Sequence, residues 1–578
     1  MGRVWRRESA RRAQGMCGAP KNWAVCEKGS GVELLTAAQM RAIEQAAIES
    51  GAVTGLELME RAGRGVVEAI FEEWPELRAT SHRAVVLCGP GNNGGDGFVV
   101  ARVLKEWGWE VEVLLYGDAE KLPPDARVNY DRWRGMGEVY PMPANMPYTV
   151  WSKTSASLVV DAIFGTGACR ELPTIVEEAV ATVPVANIQG DKVRCVAVDV
   201  PSGLSSDNGD HLSGDPTWPG TFMADLTVSF HTEKTGHRLS SAPRYCGRIV
   251  TVDIGLEGSP RPRVGVKPPP LGAVGGCPAV PPGKTVNLID ESIVQRVKKS
   301  NDTHKYTHGH ALILSGSMGR SGAARLAARG ALRVGAGVVT VAAPGSAMME
   351  CATQLTAVML RKCDDADGLA ALLEDDRINA LCLGPGLGLD RARALVETLG
   401  SSGIDPRPTV LDADALTAFA DNSEALFAHL HPQCVLTPHA GEFAWLFPDI
   451  AEKLEAPATK GPAYSKVDAT REAAKRAGCT VLFKGPDTVI ADEKGHAAIN
   501  SAAYDRAAPW LATAGSGDVL AGIITGLLAR GFGAMQAAET GAWLHVEAAL
   551  EFGPGLIAED LPEALPAVFR RLLQPDRR

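Results

Sequence analysis

The sequence predicts an α/β protein with two domains, each built around a mostly parallel β-sheet that is covered by helices. Short apolar runs of strand length alternate with helical stretches along most of the 578 residues. Strands that are apolar almost throughout are typical of parallel sheets buried on both faces. A proline-rich stretch separates two such series, and the chain is longer than one hydrophobic core usually serves.

The first series occupies residues 33–256. Thr36 is expected to cap a helix that carries Met40, Ile43 and Ala47 on one face. The expected strands are Ala84–Cys88, Val111–Tyr116, Leu158–Phe164, Arg194–Val200, Leu226–Phe230 and Ile249–Ile254. Ligands of such sheets bind beyond the carboxyl ends of the strands, so the polar residues found there are the candidates for a site.

Three further segments complete the expected organisation. Residues 257–288 are rich in proline and glycine and predict a semi-rigid linker. A second α/β series occupies residues 289–574, with expected strands Ala311–Leu314, Val338–Ala342, Ala380–Leu383, Val410–Leu411, Val435–Leu436 and Val481–Phe483. Residues 1–32 are basic and are expected to be a disordered extension; a transit peptide or a start codon placed too far upstream are the alternatives.

Composition limits the classes of function. The net charge of −10 argues against a general binder of nucleic acid or anionic membranes. The longest apolar run, Val519 to Ala529, is too short to span a bilayer. Twelve cysteines are scattered without a C-x-x-C pair, which favours buried free thiols over disulfides or a zinc site. We therefore expect a cytoplasmic protein.

The most informative stretch is Gly89-Pro90-Gly91-Asn92-Asn93-Gly94-Gly95-Asp96-Gly97, which lies between an apolar strand and a helix-like run over Phe98–Trp107. Glycines at this density let backbone N–H groups approach a ligand closely. The stretch also fits the dinucleotide pattern G-x-G-x-x-G, although the expected ribose-binding acid is not clearly placed on the next strand. Its carboxamides and carboxylate suit hydroxyl groups or a cation as readily as a phosphate.

Two acids follow later strands of the first series. Asp161 precedes Gly165–Gly167, and Asp199 lies close to Ser202 within Val198–Gly203. Either acid alone could simply cap a helix. Together with Asn93, however, they can converge at one edge of a parallel sheet on an oxygen-rich pocket that suits a hard cation.

These motifs resemble those of the NAD(P)H-hydrate epimerases, over roughly residues 33–256. The resemblance implies a Rossmann-like three-layer α/β fold and a potassium ion held by Asn93, Asp161 and Ser202. It implies that the hydrated nucleotide contacts Asn92, Asn93, Gly94, Gly95, Asp96, Gly165, Thr166, Gly167, Ala168, Cys169, Arg170, Glu171 and Asp199. Epimerisation requires proton transfers, and Asp199 beside a cation is the candidate acid–base group.

Near the end of the second series, Thr513-Ala514-Gly515-Ser516-Gly517-Asp518 precedes an apolar helix. Backbone N–H groups at a helix start attract anions, and the helix dipole adds to this. An acid at this position is unexpected if the segment only binds phosphate. It is consistent with Asp518 as a general base that takes a hydroxyl proton during phosphoryl transfer. A simple acid at a helix N-terminus is the alternative.

Other segments at strand ends of the second series also suit ligands. Lys484–Thr488 suits phosphate or ribose contacts. Thr437-Pro438-His439-Ala440-Gly441-Glu442 supplies an imidazole and a carboxylate, although a core histidine is the alternative for His439. Gly384–Gly388 and Ser315–Ala324 are glycine-rich and lie between a strand and a helix, as ligand loops do.

The second half resembles the ADP-dependent NAD(P)H-hydrate dehydratases, which have a ribokinase-like fold, over about residues 289–574. The resemblance implies that ADP, carried with Mg²⁺, contacts Lys484, Gly485, Pro486, Asp487, Thr488 and Gly517. It implies that the hydrate contacts Ala323, Gly386, His439 and Asp518. Two departures affect local loop geometry: Tyr306-Thr307-His308-Gly309 stands where the family often has Gly-Asp-Phe-Gly, and Ala514 stands where it often has glycine.

The motifs together predict a bifunctional enzyme that repairs hydrated NADH and NADPH (NADHX and NADPHX). It would epimerise the R and S hydrates and dehydrate the S form at the expense of ADP. We expect a homo-oligomer with no nucleic-acid or membrane partner. One alternative is a ribokinase-like small-molecule kinase with a non-catalytic N-terminal binding domain, and another is a scaffold with a vestigial first domain. The intact Asn-Asn-Gly-Gly-Asp run and both acids favour a catalytic first domain.

Overall fold

The computed structural model describes residues 32–143, 146, 155–168, 170–183, 190–213, 220–256, 285–299, 304–399, 405–456 and 463–573. Nearly all of the basic extension and most of the expected linker lie outside these residues. Within the described ranges, no helix has both the length and the apolar character needed to cross a membrane. The eight cysteines described there are buried and free, as predicted.

After a short strand, β1 (Glu33–Leu34), the chain forms a first sheet whose strands are all parallel. They are β2 (Arg83–Cys88), β3 (Glu110–Leu115), β4 (Val139–Pro141), β5 (Leu158–Ala162), β6 (Arg194–Val198), β7 (Leu226–Phe230) and β8 (Arg248–Val252). Their order is β4-β3-β2-β5-β6-β7-β8. The order reverses between β2 and β5, which is where doubly wound sheets bind ligands.

Helices cover both faces of this sheet, at Ala37–Glu49, Gly55–Glu73, Glu76–Ala79, Asn92–Glu106, Pro124–Arg134 and Thr174–Ala181. The first begins as predicted, because the Thr36 side chain accepts a hydrogen bond from Gln39 N and the Gln39 side chain accepts one from Thr36 N. Alternate strand residues pack on opposite faces: Val86 belongs to one apolar cluster and Val85 to the other. The fully apolar strands therefore serve two cores.

The structure corrects one expectation about the glycine-rich stretch. The helix begins at Asn92, not near Phe98, so the Asn-Asn-Gly-Gly-Asp run forms its first turns. A Cβ atom on Gly94 would lie 2.0 Å from the carbonyl oxygen of Gly89, and one on Gly95 would lie 2.5 Å from Sδ of Met59. These glycines therefore let the helix pack closely, in addition to leaving N–H groups accessible.

The second sheet begins with β9 (Val286–Leu288), three residues that the sequence had assigned to the linker. Its other strands are β10 (His310–Leu314), β11 (Val338–Ala343), β12 (Met359–Lys362), β13 (Ala380–Leu383), β14 (Thr409–Leu411), β15 (Cys434–Leu436), β16 (Thr480–Phe483), β17 (Asp487–Ala491) and β18 (Ala497–Ser501). The order is β1-β9-β18-β17-β16-β15-β14-β13-β10-β11-β12. Strand β1 pairs antiparallel with β9, so the start of the first series joins the second sheet.

The central strands of the second sheet, β10 to β16, are parallel, whereas β16, β17 and β18 pair antiparallel. The helices lie at Gly322–Arg333, Met348–Gln354, Ala366–Leu373, Leu389–Leu399, Asp414–Thr417, Ser423–Phe427, Ala440–Leu446, Pro448–Glu455, Lys466–Ala477, Ser516–Ala529, Ala534–Phe552 and Asp560–Leu573. Small residues let helices Ser516–Ala529 and Gly322–Arg333 approach each other closely, since a Cβ atom on Gly522 would lie 2.0 Å from the carbonyl oxygen of Ala327. The predicted fold class, two α/β domains, is confirmed.

Candidate active sites

The first site lies at the carboxyl ends of β5, β6 and β7. Lys234, four residues after β7, donates a hydrogen bond from Nζ to Oδ1 of Asp199 at 3.0 Å. The side chains are 1% and 7% exposed, so this is a buried ion pair. Nζ also donates to Ser229 Oγ at 2.9 Å, Phe230 O at 3.1 Å and Thr232 O at 3.0 Å. The lysine is thus fully engaged within the fold.

The carboxyl groups around this pair differ in charge. Burial alone would raise the pKa of Asp199, but the charge and hydrogen bond of Lys234 outweigh burial and lower this pKa below its usual value. Burial, followed by the charge of Asp199, raises the pKa of Glu44 to about 7. Burial, followed by the charges of Asp199 and Glu44, raises the pKa of Asp96 well above its usual value. The site therefore combines an acid whose pKa is lowered with two acids whose pKa values are raised, an arrangement by which enzymes divide acid and base roles.

Asp161 forms a second polar cluster next to this one. It is fully buried, and its carboxylate accepts hydrogen bonds from Ser202 Oγ and Ser202 N, both at 2.7 Å, and from Ile163 N at 3.2 Å. Burial raises the pKa of Asp161 to about 6, although these hydrogen bonds oppose the shift. Over the described ranges, no cationic side chain contributes to this shift. Asn93 Nδ2 is also buried and has no hydrogen-bond partner there.

The loop after β5 joins the two clusters. Thr166 N donates to Asp199 Oδ2 at 3.2 Å. A Cβ on Gly165 would lie 2.9 Å from Asn93 Oδ1 and 3.4 Å from Asp199 Oδ2, so only glycine lets the loop pass between the amide and the carboxylate. Of the other predicted hydrate contacts, Ala168 is half-buried, Asn92, Gly167, Arg170 and Glu171 are exposed, and Cys169 lies outside the described residues.

The second site lies at the start of helix Ser516–Ala529, which follows Gly515 in a left-handed conformation with φ of 89°. Asp518 lies in its first turn. Burial, followed by the charge of Asp412, raises the pKa of Asp518 to about 6, and the charge of Lys484 partly offsets this. Lys484 Nζ donates to Asp412 Oδ1 at 2.8 Å and lies 3.7 Å from Glu442 Oε2. A carboxylate with this pKa is suited to accept a proton near neutral pH.

A cavity of about 480 Å³ adjoins this lysine. Five of the six residues predicted to bind nucleotide line it: Lys484, Gly485, Pro486, Thr488 and Gly517. Its apolar lining includes Ala502, Ala507, Ala508, Pro509, Leu511, Ala512, Leu520 and Val546. An apolar wall with a few polar groups and one cation suits a small organic anion such as a nucleotide. The sixth residue, Asp487, does not line the cavity; its carboxylate accepts hydrogen bonds from Lys466 Nζ at 2.7 Å and Ser240 N at 3.0 Å.

The remaining predicted contacts of the second site lie on neighbouring loops. The core-histidine alternative for His439 is wrong, because the side chain is 55% exposed. Its Nδ1 caps helix Ala440–Leu446 by accepting from Gly441 N at 3.0 Å and Glu442 N at 3.2 Å. A Cβ on Gly386 would lie 3.6 Å from that of Ala323, so these two residues lie side by side.

Sequence reasoning missed Glu44, Lys234 and His237 in the first site and Asp412 in the second. Asp412 directly follows β14, and Lys234 follows β7 after three residues. Examining the end of every predicted strand would have found both. Glu44 lies in the middle of a helix and reaches the site only through packing, so it had no comparable signal.

Two sites at the carboxyl edges of separate sheets, each with an aspartate–lysine pair, define this chain as a two-domain α/β enzyme. The family model described as NAD(P)H-hydrate dehydratase matches residues 311–565, and the model described as YjeF-related protein N-terminus matches residues 55–236. A bifunctional NAD(P)H-hydrate repair enzyme from Moorella thermoacetica is 34% identical over 562 residues, which is 93% of this chain and 97% of that protein. The chain belongs to the family of bifunctional NAD(P)H-hydrate repair enzymes.

Two partial relatives match one half each. An NAD(P)H-hydrate epimerase from Rhodobacter capsulatus is 48% identical over 212 residues, which is 36% of this chain and 91% of that protein. The crystal structure of an ADP/ATP-dependent NAD(P)H-hydrate dehydratase from Bacillus subtilis, co-crystallised with ATP and Mg²⁺, aligns with 50% of this chain and 99% of its own, with 26% identity and a TM-score of 0.41. Family membership favours the bifunctional interpretation over the small-molecule kinase.

Proposed function

We propose that the first site interconverts the R and S forms of NADHX and NADPHX, and that the second converts the S form to NAD(P)H at the expense of ADP. One observation carries this proposal. In each domain an aspartate–lysine pair lies beside another acid whose pKa is raised, Glu44 in the first site and Asp518 in the second. Acids with separated pKa values in one site supply a proton donor and a proton acceptor.

In the first site, Asp199 is proposed to stabilise the positive charge that develops on the closed nicotinamide ring as the C6 hydroxyl leaves as water, and to accept a proton from the water that adds back to C6. Lys234 keeps it ionised. Glu44 and Asp96 are proposed as proton donors to the C6 hydroxyl. Gly165–Glu171 and the N–H groups of Asn92–Asp96 would position the hydrate.

The residues proposed for potassium fit that ion. Asp161 is a buried carboxylate with no cationic partner in the described part of the chain, and Asn93 and Ser202 add an amide and a hydroxyl oxygen. Hard cations prefer such oxygen ligands. A bound potassium ion would offset the buried negative charge and order the Gly165 loop.

In the second site, Asp518 is proposed to take the proton of the hydrate's hydroxyl as that oxygen attacks the terminal phosphorus of ADP. AMP leaves, and the hydroxyl becomes a phosphate ester. Loss of phosphate from C6 and of a proton from C5 then restores the double bond of the dihydronicotinamide. Lys484, Gly485, Pro486, Thr488 and Gly517 would hold the nucleotide; His439, Ala323 and Gly386 would contact the hydrate.

The described residues contain no group of three or more His, Cys, Asp or Glu side chains that could hold a metal ion. Mg²⁺ usually keeps several waters and is held largely by substrate phosphates. We therefore propose that it enters with ADP and assign it no protein ligand. The homo-oligomeric state and the cytoplasmic location stay predictions.

The proposal is tested with purified R and S hydrates and absorbance of regenerated NADH. With ADP and Mg²⁺ both epimers should be consumed, whereas without nucleotide neither should yield NADH. Asp518→Asn should lower kcat of dehydration by about 10²–10⁴-fold and leave epimerisation intact, whereas Asp199→Asn should slow epimerisation and leave dehydration intact. A small-molecule kinase would instead consume nucleotide without forming NADH, and that outcome would overturn the proposal.

A further inference from the structure

A short 3₁₀ helix of the second domain, Tyr504–Arg506, packs against the first domain. Tyr504 Oη donates a hydrogen bond to the carbonyl oxygen of His237 at 2.5 Å. Its ring contacts an apolar cluster that contains Val200, Leu204, Ala242 and Cys246. The guanidinium of Arg238 lies 4.6 Å from the centre of the same ring. Tyr504 thus contacts residues that follow Asp199 in the chain and residues that follow Lys234.

His237 links these two segments. Its ring is buried, and Nδ1 accepts a hydrogen bond from Lys234 N at 3.0 Å while Nε2 lies 3.0 Å from the carbonyl oxygen of Asp199. A neutral imidazole has one acceptor and one donor nitrogen, which matches these two partners. Burial is the main reason that the pKa of His237 falls to about 4, so the ring is neutral at physiological pH. One side chain therefore sets the distance between the backbones of Asp199 and Lys234.

This link matters because the backbone of Asp199 is strained. Its φ is 67°, in the left-handed region that residues other than glycine rarely adopt. Such a conformation persists only when surrounding contacts impose it. The contacts here are Asp199 N to Val228 O at 2.8 Å, the carbonyl of Asp199 to His237, and the carboxylate to Lys234. A small displacement of His237 would weaken the contact between its ring and the carbonyl oxygen of Asp199. Because His237 also bonds Lys234 N, the displacement would weaken the contact between Lys234 and the Asp199 carboxylate as well.

We propose that Tyr504, a residue of the second domain, is a positioning residue for the epimerase site: by holding His237 it fixes the geometry of Asp199 and Lys234. This inference rests on the proposed function of the first site. The epimerase activity of the fused chain then depends on a hydroxyl group outside the epimerase domain. Tyr504 acts through His237, and its loss should weaken the geometry without abolishing it.

The test compares Tyr504→Phe with Tyr464→Phe in the full-length chain. Tyr464 is a matched control, because it also lies in the second domain and its hydroxyl also donates a partly buried hydrogen bond, to Glu472 Oε2 at 2.7 Å. Epimerisation is measured without nucleotide, by chromatographic separation of the two hydrates, and dehydration is measured on pure S hydrate. For Tyr504→Phe we expect kcat of epimerisation to fall about fivefold with an unchanged KM, the effect of one lost hydrogen bond. Dehydration should stay unchanged, and Tyr464→Phe should alter neither rate.

The pH profile distinguishes positioning from a general loss of stability. Four titratable side chains influence the charge of Asp199 or respond to it. Lys234 and His237 come from the segment after β7, Glu44 from helix Ala37–Glu49 and Asp96 from helix Asn92–Glu106. If the contact between Lys234 and Asp199 lengthens in Tyr504→Phe, the lysine lowers the pKa of Asp199 less, and the acidic limb of the epimerisation profile should move to higher pH. A profile of unchanged shape would overturn the proposal.

Two further outcomes would also overturn it. One is a Tyr504→Phe variant that epimerises within twofold of the wild type. The other is a parallel fall of epimerisation and dehydration, which a purely structural role would produce. If the wild-type chain itself failed to epimerise, the proposed function of the first site would fail, and this inference with it. The wild-type measurement therefore separates the two failures.

Discussion

Replacing Lys234 by methionine is the most direct test of the electrostatics of the first site. Methionine keeps a long apolar side chain but removes the ammonium group, which leaves Asp199 as a buried carboxylate without its cation. Removing one partner of a buried ion pair typically costs about 3–5 kcal/mol. Three other acceptors, Ser229 Oγ, Phe230 O and Thr232 O, lose a donor at the same time. We therefore expect a loss of stability of about 3 kcal/mol or more and at least a tenfold slower epimerisation.

The pH dependence of this loss has a definite sign. The pKa of Asp199 is lowered in the folded protein, so the pair stabilises the fold above the unfolded pKa of about 3.9 and is lost as pH falls through the folded value. In Lys234→Met the same carboxyl keeps its burial and its acidic neighbours, and its pKa should rise. The difference in free energy of unfolding between the wild type and Lys234→Met should therefore be largest at neutral pH and should decrease as the pH is lowered.

The assay is chemical denaturation followed by circular dichroism, together with the epimerisation rate. Lys192→Met is the matched control, since Lys192 pairs with Asp225 at 2.7 Å in the same domain but is 61% exposed. Exposed pairs contribute about 0–1 kcal/mol, so this variant should resemble the wild type in both measurements. Equal stability and equal epimerisation of Lys234→Met and wild type would show that the Lys234 charge does not keep Asp199 ionised.

Three other outcomes are expected. The rate of dehydration should rise as pH increases through about 6, because Asp518 loses its proton there. Asp518→Asn should lower kcat of dehydration by about 10²–10⁴-fold. A dehydration rate that does not depend on pH would contradict the assignment of Asp518 as the base. Ala512→Trp should fill part of the nucleotide cavity and raise the Kd for ADP at least tenfold by calorimetry, with epimerisation unchanged. Potassium should raise Tm of the wild type more than that of Asp161→Asn, and less below pH 6 because Asp161 becomes protonated; an equal shift in both proteins would remove Asp161 as a ligand.

Most strands in the middle of each sheet were predictable because both of their faces are buried, although β18 (Ala497–Ser501), which is also buried throughout, was not predicted. Leu226–Phe230 and Ala380–Leu383 have the predicted bounds, and every residue in them is buried. The edge strands β4 and β12 were missed, because most of their residues are exposed and they lack a continuous apolar run. Strands β1 and β9 are too short to recognise alone and exist through their pairing with each other and with β18.

The two-domain α/β architecture and the motifs at the strand ends could be predicted from short segments, because apolar periodicity and local glycine, amide and acid patterns are properties of such segments. Only the tertiary structure decided which charges meet. Lys234 pairs with Asp199, Lys484 with Asp412, and Tyr504 with His237 across 267 positions of sequence. The ionisation of each site depends on such pairs, because a buried carboxyl group takes its pKa from the burial and charges that folding places around it.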